Sequence, residues 1–428
     1  MSLTKEGYIP RLIDDKMLRY LDVFGSVSIE GPKWVGKTWT GLNHAESVQY
    51  LTDKGTRNLA KIDPKYIFTK EHPELIDEWQ IVPAVWDAVR HACDSDQEKG
   101  KFILTGSTAL RYSENDDDKV YHTGTGRIAT LRMHPMSLYE SGDSTGRASI
   151  SDMLEGKVDD GYERNVELDE LAYYIMRGGW PSNRNVSERD ALLIPESYIE
   201  SIVTKDMHEG ERKKRNPDKM RKLIKSLSRN ESTLTGLKTI VRDVEEYESG
   251  GGLIESTATA RDYLSVLERL YITSDVPAYS LNYRSSSRIG KSAKRHLEDP
   301  SLCCASLGLT LDKLMYDHET FGMLFEALAV RDLRIYAEYL DGRLYHFRDN
   351  VSGDEVDAII EFRDGSYAAF EIKLSAGSIN DAVKSLERFR NNVQRKPVFS
   401  CIIVGHQEAV IRKPDSGIYI VPLTSLKQ

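Results

Sequence analysis

The period of apolar and polar positions changes several times along the chain, and the changes mark its elements. Residues 6–20, GYIPRLIDDKMLRYL, carry apolar side chains about every third or fourth position, which predicts a helix. The run VFGSVSIE (23–30) is apolar and β-rich enough for a short buried strand. Val85, Trp86, Val89 and Ala92 share one helical face, and KFILTGST (101–108) reads as a further strand. Residues 168–181 read as a helix stopped by Gly178, Gly179 and Pro181, and 187–207 as another. Several helices are expected between Lys219 and Ile272. The last third alternates: an apolar helix (320–340), a β-like LYHFRDN (344–350), strands at 353–362 and 366–375 around an Asp364-Gly365 turn, a helix (379–392) and a strand (398–405). Polar stretches at 113–127 and 141–165 read as a loop and as a connection or insertion. The expected organisation is an α/β chain with domains at 1–150, 151–300 and 301–428.

Composition narrows the class. Of 428 residues, 40% are hydrophobic and 29% charged, an ordinary globular balance. A net charge of −9 argues against an overall nucleic-acid coat but leaves room for local basic patches. The four cysteines form no C-x-x-C pair, so a disulfide framework or zinc site is not expected. No apolar run approaches the ~20 residues of a membrane span. The first residues lack the apolar core of a signal peptide, and a cytoplasmic location is expected.

Chemistry first appears at GPKWVGKT, which fits the phosphate-binding pattern G-x-x-x-x-G-K-[ST] between a strand and a helix. Gly31, Pro32, Lys33, Trp34, Val35, Gly36, Lys37 and Thr38 form that loop. Its glycines let backbone N–H groups face an anion, and the following helix points its positive end at the same place. Lys37 is expected on the β- and γ-phosphates of ATP and the Thr38 hydroxyl on Mg²⁺. Forty positions after Lys37, Asp77 suits a Mg²⁺-holding carboxylate, and Glu78 suits one that orients the attacking water. Thr105 or Ser107, at the end of the 101–108 run, is placed to sense a γ-phosphate. Arg127 is a candidate to touch phosphate, within the chain or from a neighbouring subunit.

GPKWVGKT, LIDEWQ, FILTGS and GRIATLRMHPMSLYE, in that order, resemble the bacterial and archaeal AAA-type ATPases that carry a C-terminal domain of unknown function. The resemblance implies a Walker A loop at Gly31–Thr38, a Walker B pair at Asp77 and Glu78, and a sensor in the LTGS element. This sequence departs from the family at Lys33 and Trp34, where Arg-Gln is usual, and at Trp39.

The middle is more basic. Residues 211–225 hold eight Lys or Arg against two acids, which is a solvated helix face or a nucleic-acid contact. A helix carrying Tyr263, Leu264, Val266, Leu267 and Leu270, followed by a basic stretch with Arg284, Arg288, Lys291, Lys294 and Arg295, resembles a winged helix. Such a module either meets DNA phosphates or docks the ATPase on the C-terminal domain.

In the last third, Asp357 lies on one expected strand and Glu371 and Lys373 on the next, fourteen positions further for Glu371. Period-2 alternation puts Glu371 and Lys373 on one face. With the α/β/β/β/α/β order, this is similar to the PD-(D/E)XK, or restriction-endonuclease-like, superfamily. The resemblance implies that Asp357 and Glu371 bind Mg²⁺, that Lys373 aligns water, and that Glu326 on the preceding helix supports the metal. Two readings follow: an ATPase coupled to DNA binding or Mg²⁺-dependent DNA cleavage, or a nucleotide-dependent switch whose C-terminal domain only binds a partner or nucleic acid. Self-association is also expected of AAA relatives.

Overall fold

The computed structural model describes residues 3, 6–96, 98–107, 123–208, 215–245, 256–280, 292–349 and 352–428. They divide into two compact units. The first holds residues up to Pro135 together with Arg269–Tyr271, and the second holds the rest. The middle and C-terminal thirds cluster together in the second unit.

In the first unit, helix α1 (Ile13–Val23) leads to strand β1 (Ser26–Glu30), and α2 (Lys37–His44) follows the glycine loop. Then come β2 (Ser47–Tyr50), α3 (Lys54–Ile62), β3 (Glu74–Asp77), α4 (Ala84–Asp96), β4 (Phe102–Gly106) and β5 (Ile128–Arg132). The strands form one parallel sheet in the order β2-β3-β4-β1-β5. β1, β3 and β4 are buried along their whole length, which is why they read as short continuous runs rather than as alternation. Trp79, Val85, Trp86 and Val89 pack with Phe102 and Leu104 to cover one face. Asp14 and Asp15 open α1, where acids suit the helix N-terminus. Helix α1 is shorter than the expected 6–20 and begins after Arg11.

The second unit opens with α5 (Leu138–Ser141), β6 (Ala148–Ser149), α6 (Ile150–Glu155) and β7 (Gly161–Tyr162). Helices α7 (Leu168–Arg177), α8 (Leu193–Thr204), α9 (Pro217–Arg229), α10 (Leu237–Glu245), α11 (Thr257–Arg269), α12 (Pro300–Leu307), α13 (Leu311–Tyr316) and α14 (His318–Tyr339) follow. The remainder is β8 (Arg343–Arg348), β9 (Glu355–Glu361), β10 (Tyr367–Ser375), α15 (Ile379–Asn392), β11 (Ser400–His406), β12 (Ala409–Arg412), β13 (Tyr419–Pro422) and β14 (Leu426–Lys427). The expected α/β/β/β/α/β order is present from α14 to β11. β8, β9 and β10 run antiparallel, and β11 pairs parallel to β10 after the α15 crossover. Val356, Ile359, Tyr367 and Ala369 meet Leu386 and Phe389 of α15 in its core.

The polar stretch 141–165 is not a plain connection. β6 pairs with β14 and β7 extends the C-terminal sheet through β12. Its strands are two residues long, too short for any periodicity to register. A buried ion cluster adds to the same union: Arg331 on α14 bonds Asp299 (3.0 Å) and Asp332 (2.7 Å). Asp299 also accepts from Gly179 N and Asp332 from Leu138 N.

Glu231, 1% exposed, forms a second buried polar group in this unit. It accepts from Leu297 N (2.9 Å) and Cys303 Sγ (3.2 Å) and lies 2.8 Å from His296 Nδ1. Burial pushes its carboxyl up to about 8, and burial also holds His296 well below its usual range. Folding therefore favours a protonated Glu231, and that contribution fades as pH rises from the ordinary carboxylate range through about 8. The Tm of Glu231→Gln minus that of wild type should rise between about pH 6 and about pH 9 in thermal melts. A difference that does not change with pH would refute this assignment.

Candidate nucleotide site

Parallel strands gather their C-terminal ends on one edge of the sheet, and that edge is where such folds bind ligands. Here β1 ends at Glu30, β3 at Asp77 and β4 at Gly106, with Asp77 in register with Thr105 and Glu30 with Gly106. The chain leaves β1 through Gly31, whose φ is +150° and which runs against the Met133 carbonyl. A Cβ there would lie 2.2 Å from the Met133 oxygen, so only glycine fits. Gly36, at φ +103°, turns the loop into α2.

The loop's charges are already partnered. Lys37 Nζ donates to the carbonyls of Gly31 (2.9 Å) and Pro32 (2.6 Å), in the space that the loop encloses. Burial pushes its ammonium down to about 8, with Glu78 and Asp77 opposing the shift. Thr38 Oγ1 donates to Asp77 Oδ1 at 2.7 Å, and Thr105 Oγ1 donates to the same oxygen at 2.6 Å. A hydroxyl and a carboxylate side by side are the donor set that a Mg²⁺ on a nucleotide uses, so these residues fit that ion. Glu78 has φ +57° and bonds the Gln80 amide. Burial raises its carboxyl above the usual range, and Ser107 Oγ lies 3.5 Å away.

The sequence-based expectations divide accordingly. Gly31, Pro32, Val35, Gly36, Lys37, Thr38, Asp77, Glu78, Thr105 and Ser107 gather at this edge. Lys33 is half-buried in the same loop, and Trp34 sits at φ +68° with 47% of its surface exposed. Thr105 is committed to Asp77, which leaves Ser107, beside Glu78, as the sensor candidate. Arg127 is a correction. It precedes Ile128, the register partner of Ser26, so it lies at the opposite end of the strands, about 16 Å from the loop. Its guanidinium pairs with Asp94 at 2.7 Å, and it does not reach a phosphate in its own unit.

Arg11 was not singled out from the sequence. Its buried guanidinium donates to Val35 O and His134 O, both at 2.8 Å, and so ties the loop to the chain after β5. No pattern marks it, because its partners are backbone carbonyls.

The C-terminal residues also come together. Lys373 Nζ lies 2.7 Å from Glu371 and 3.1 Å from Asp357, and Ile372 N donates to Asp357. Glu326 is paired with Lys294, which stands 3.9 Å from Asp357. Burial works against both ammoniums, but the carboxylates outweigh it and raise them above their usual range. Burial and the Asp357 charge push Glu326 and Glu371 up. This set does not fit the expected Mg²⁺, because ammonium groups fill the space between the carboxylates. Among the described residues no group of three or more His, Cys, Asp or Glu is arranged to hold a metal ion.

Four of the basic residues expected in the middle are paired within the second unit. Arg215 is buried against Asp262, and Arg221 bonds Glu200 and Asp218. Lys294 is 5% exposed and Arg295 pairs with Asp275. Residues 211–214 of the basic run, and Arg284, Arg288 and Lys291, lie outside the described residues.

Residues 24–142 match the model of an AAA domain. The first unit carries an AAA-type P-loop domain. Residues 168–313 and 321–426 of the same chain match two domains of unknown function, DUF8612 and DUF4143. Among solved structures, the Walker-type ATPase of Pyrococcus abyssi is 13% identical, with 71% of this chain and 97% of that one covered and a TM-score of 0.43. The Aeropyrum pernix ORC2 protein is 15% identical, covering 74% and 98%, at 0.33. The Thermotoga maritima RuvB Holliday junction branch migration motor is 16% identical, covering 65% and 94%, at 0.28. No curated protein sequence matches. Among the described residues no helix is long and apolar enough to cross a membrane.

The AAA-type loop makes a sharp demand at Gly31. Gly31→Ala should lower Tm by several degrees and weaken binding of a fluorescent ATP analogue at least about tenfold. Wild-type affinity in that variant would show that the Met133 contact does not shape the loop.

Proposed function

We propose that the first unit binds and hydrolyses MgATP and that the cycle drives a conformational switch. One observation carries the reading: Thr38 and Thr105 converge on one oxygen of Asp77 while Lys37 waits on the loop's own carbonyls. Phosphate oxygens would replace those carbonyls as partners of Lys37, and the loop N–H groups would take the remaining phosphate charge. Thr38 and Asp77 would hold Mg²⁺, whose charge offsets that of the β- and γ-phosphates. Glu78, aligned by Gln80, orients the attacking water, and Ser107 reads the γ-phosphate.

The lysine-filled C-terminal cluster favours a switch over a cutting enzyme. In the second unit, α9, α10 and α11 precede an antiparallel pairing of Thr273 with Leu297 and Val276 with Lys294. That order supports a winged-helix-like module. Its internally paired Arg215, Arg221, Lys294 and Arg295 favour protein docking over DNA phosphate contact.

Steady-state phosphate release tests the chemistry. Lys37→Ala should lose ATP binding, and Glu78→Gln should keep it while losing turnover about 100-fold or more. Turnover unchanged in both variants would refute the proposal.

A further inference from the structure

Three residues from the middle of the chain fold with the first unit. Arg269–Tyr271 belong to it, although Glu268 and Ile272 on either side belong to the second. They close helix α11, and Ile272 N donates to Leu267 O (2.8 Å) across the helix end. A bond of this kind goes with a left-handed residue just before it, a position that glycine usually takes. Here it is Tyr271, at φ +58°. A bulky side chain is rare in that conformation, so its contacts must outweigh the backbone cost.

Those contacts lie at the root of the phosphate loop. The Tyr271 hydroxyl donates to the Glu30 carboxylate, and both residues are buried. Glu30 is the last residue of β1, immediately before Gly31. Arg132, its register partner on β5, holds its guanidinium 5.4 Å from the centre of the Tyr271 ring, within cation–π range. A buried carboxylate thus stands beside a loop built for anions. Burial raises its carboxyl above the usual range, and the Tyr271 bond, Arg132 and Lys37 all work against that shift. Glu30 and Lys37 therefore lie within each other's field. A buried carboxylate that loses its donor needs another partner, and an ammonium in its field supplies one. We propose that Tyr271 is a positioning residue for the phosphate loop: its hydroxyl keeps Glu30 from taking Lys37, so the ammonium stays available to phosphate. The proposal rests on the MgATP reading above and gives its switch a physical link. Such coupling is reciprocal: if Tyr271 raises the affinity for ATP, ATP holds Tyr271 and the turn that ends α11 more firmly by the same factor.

The test is calorimetric titration of the full chain with MgATP. Tyr271→Phe keeps the ring beside Arg132 and removes only the hydroxyl, and it should bind MgATP at least about fivefold more weakly than wild type. Adding Glu30→Gln to Tyr271→Phe should bring the affinity back to within about twofold of wild type, because a neutral amide does not compete with phosphate for Lys37. A hydroxyl that only supported the fold would leave the double variant at least as weak as the single one. Should the variants not fold, hydrogen exchange of wild type replaces them: MgATP should slow exchange of the Ile272 amide, which closes the turn, at least about fivefold. Equal affinity in wild type and a folded Tyr271→Phe, no recovery in the double variant, or Ile272 exchange indifferent to bound MgATP would overturn this proposal alone. A wild type that binds no ATP would overturn the nucleotide reading and this proposal with it.

Discussion

A charge removed from water must find a partner, and this chain is arranged around several that have done so. Lys37 is held by two carbonyls of its own loop, and Asp77 by two hydroxyls. Arg331 is held by Asp299 and Asp332, and the C-terminal acids by Lys294 and Lys373. Each would otherwise carry a desolvation cost of several kcal/mol. The partners differ in one respect that matters. Those of Arg331 are fixed structural groups, whereas those of Lys37 are groups that a phosphate can replace without leaving any charge bare.

That difference links the first unit's fold to its chemistry. A parallel sheet brings the ends of β1, β3 and β4 together, and the close passage of Gly31 past Met133 sets where the loop turns. Asp77 can then accept from two elements at once, one hydroxyl from α2 and one from β4. Under the proposed function Asp77 is already fixed by its two hydroxyls, and the rearrangement falls on Lys37, which exchanges loop carbonyls for phosphate oxygens.

Much of this was legible in the sequence, for identifiable reasons. GPKWVGKT carries its meaning locally, because glycine position and the Lys-Thr pair define the loop. Asp77 and Glu78 were singled out by their distance from Lys37, and Thr105 or Ser107 by the end of a β-rich run. The α14–β11 order and the grouping of Asp357, Glu371 and Lys373 followed from strand alternation and spacing. What escaped depends on contacts distant in sequence. Arg11 acts on backbone carbonyls, and β6 and β7 exist only through their pairing with β14 and β12. Lys294 looked like one of a row of surface cations, and its burial depends on Glu326 thirty-two positions later. Arg127 does not reach the loop of its own unit, and only the register of β5 against β1 shows which end of the sheet it occupies.

The nucleotide site is tested most directly by calorimetric titration of the wild-type chain with ATP. With Mg²⁺ present, one ATP should bind per chain. When the metal is chelated, the affinity should fall at least about tenfold, because Asp77 then faces the phosphates without its cation. Absence of ATP binding, or an affinity indifferent to Mg²⁺, would contradict it.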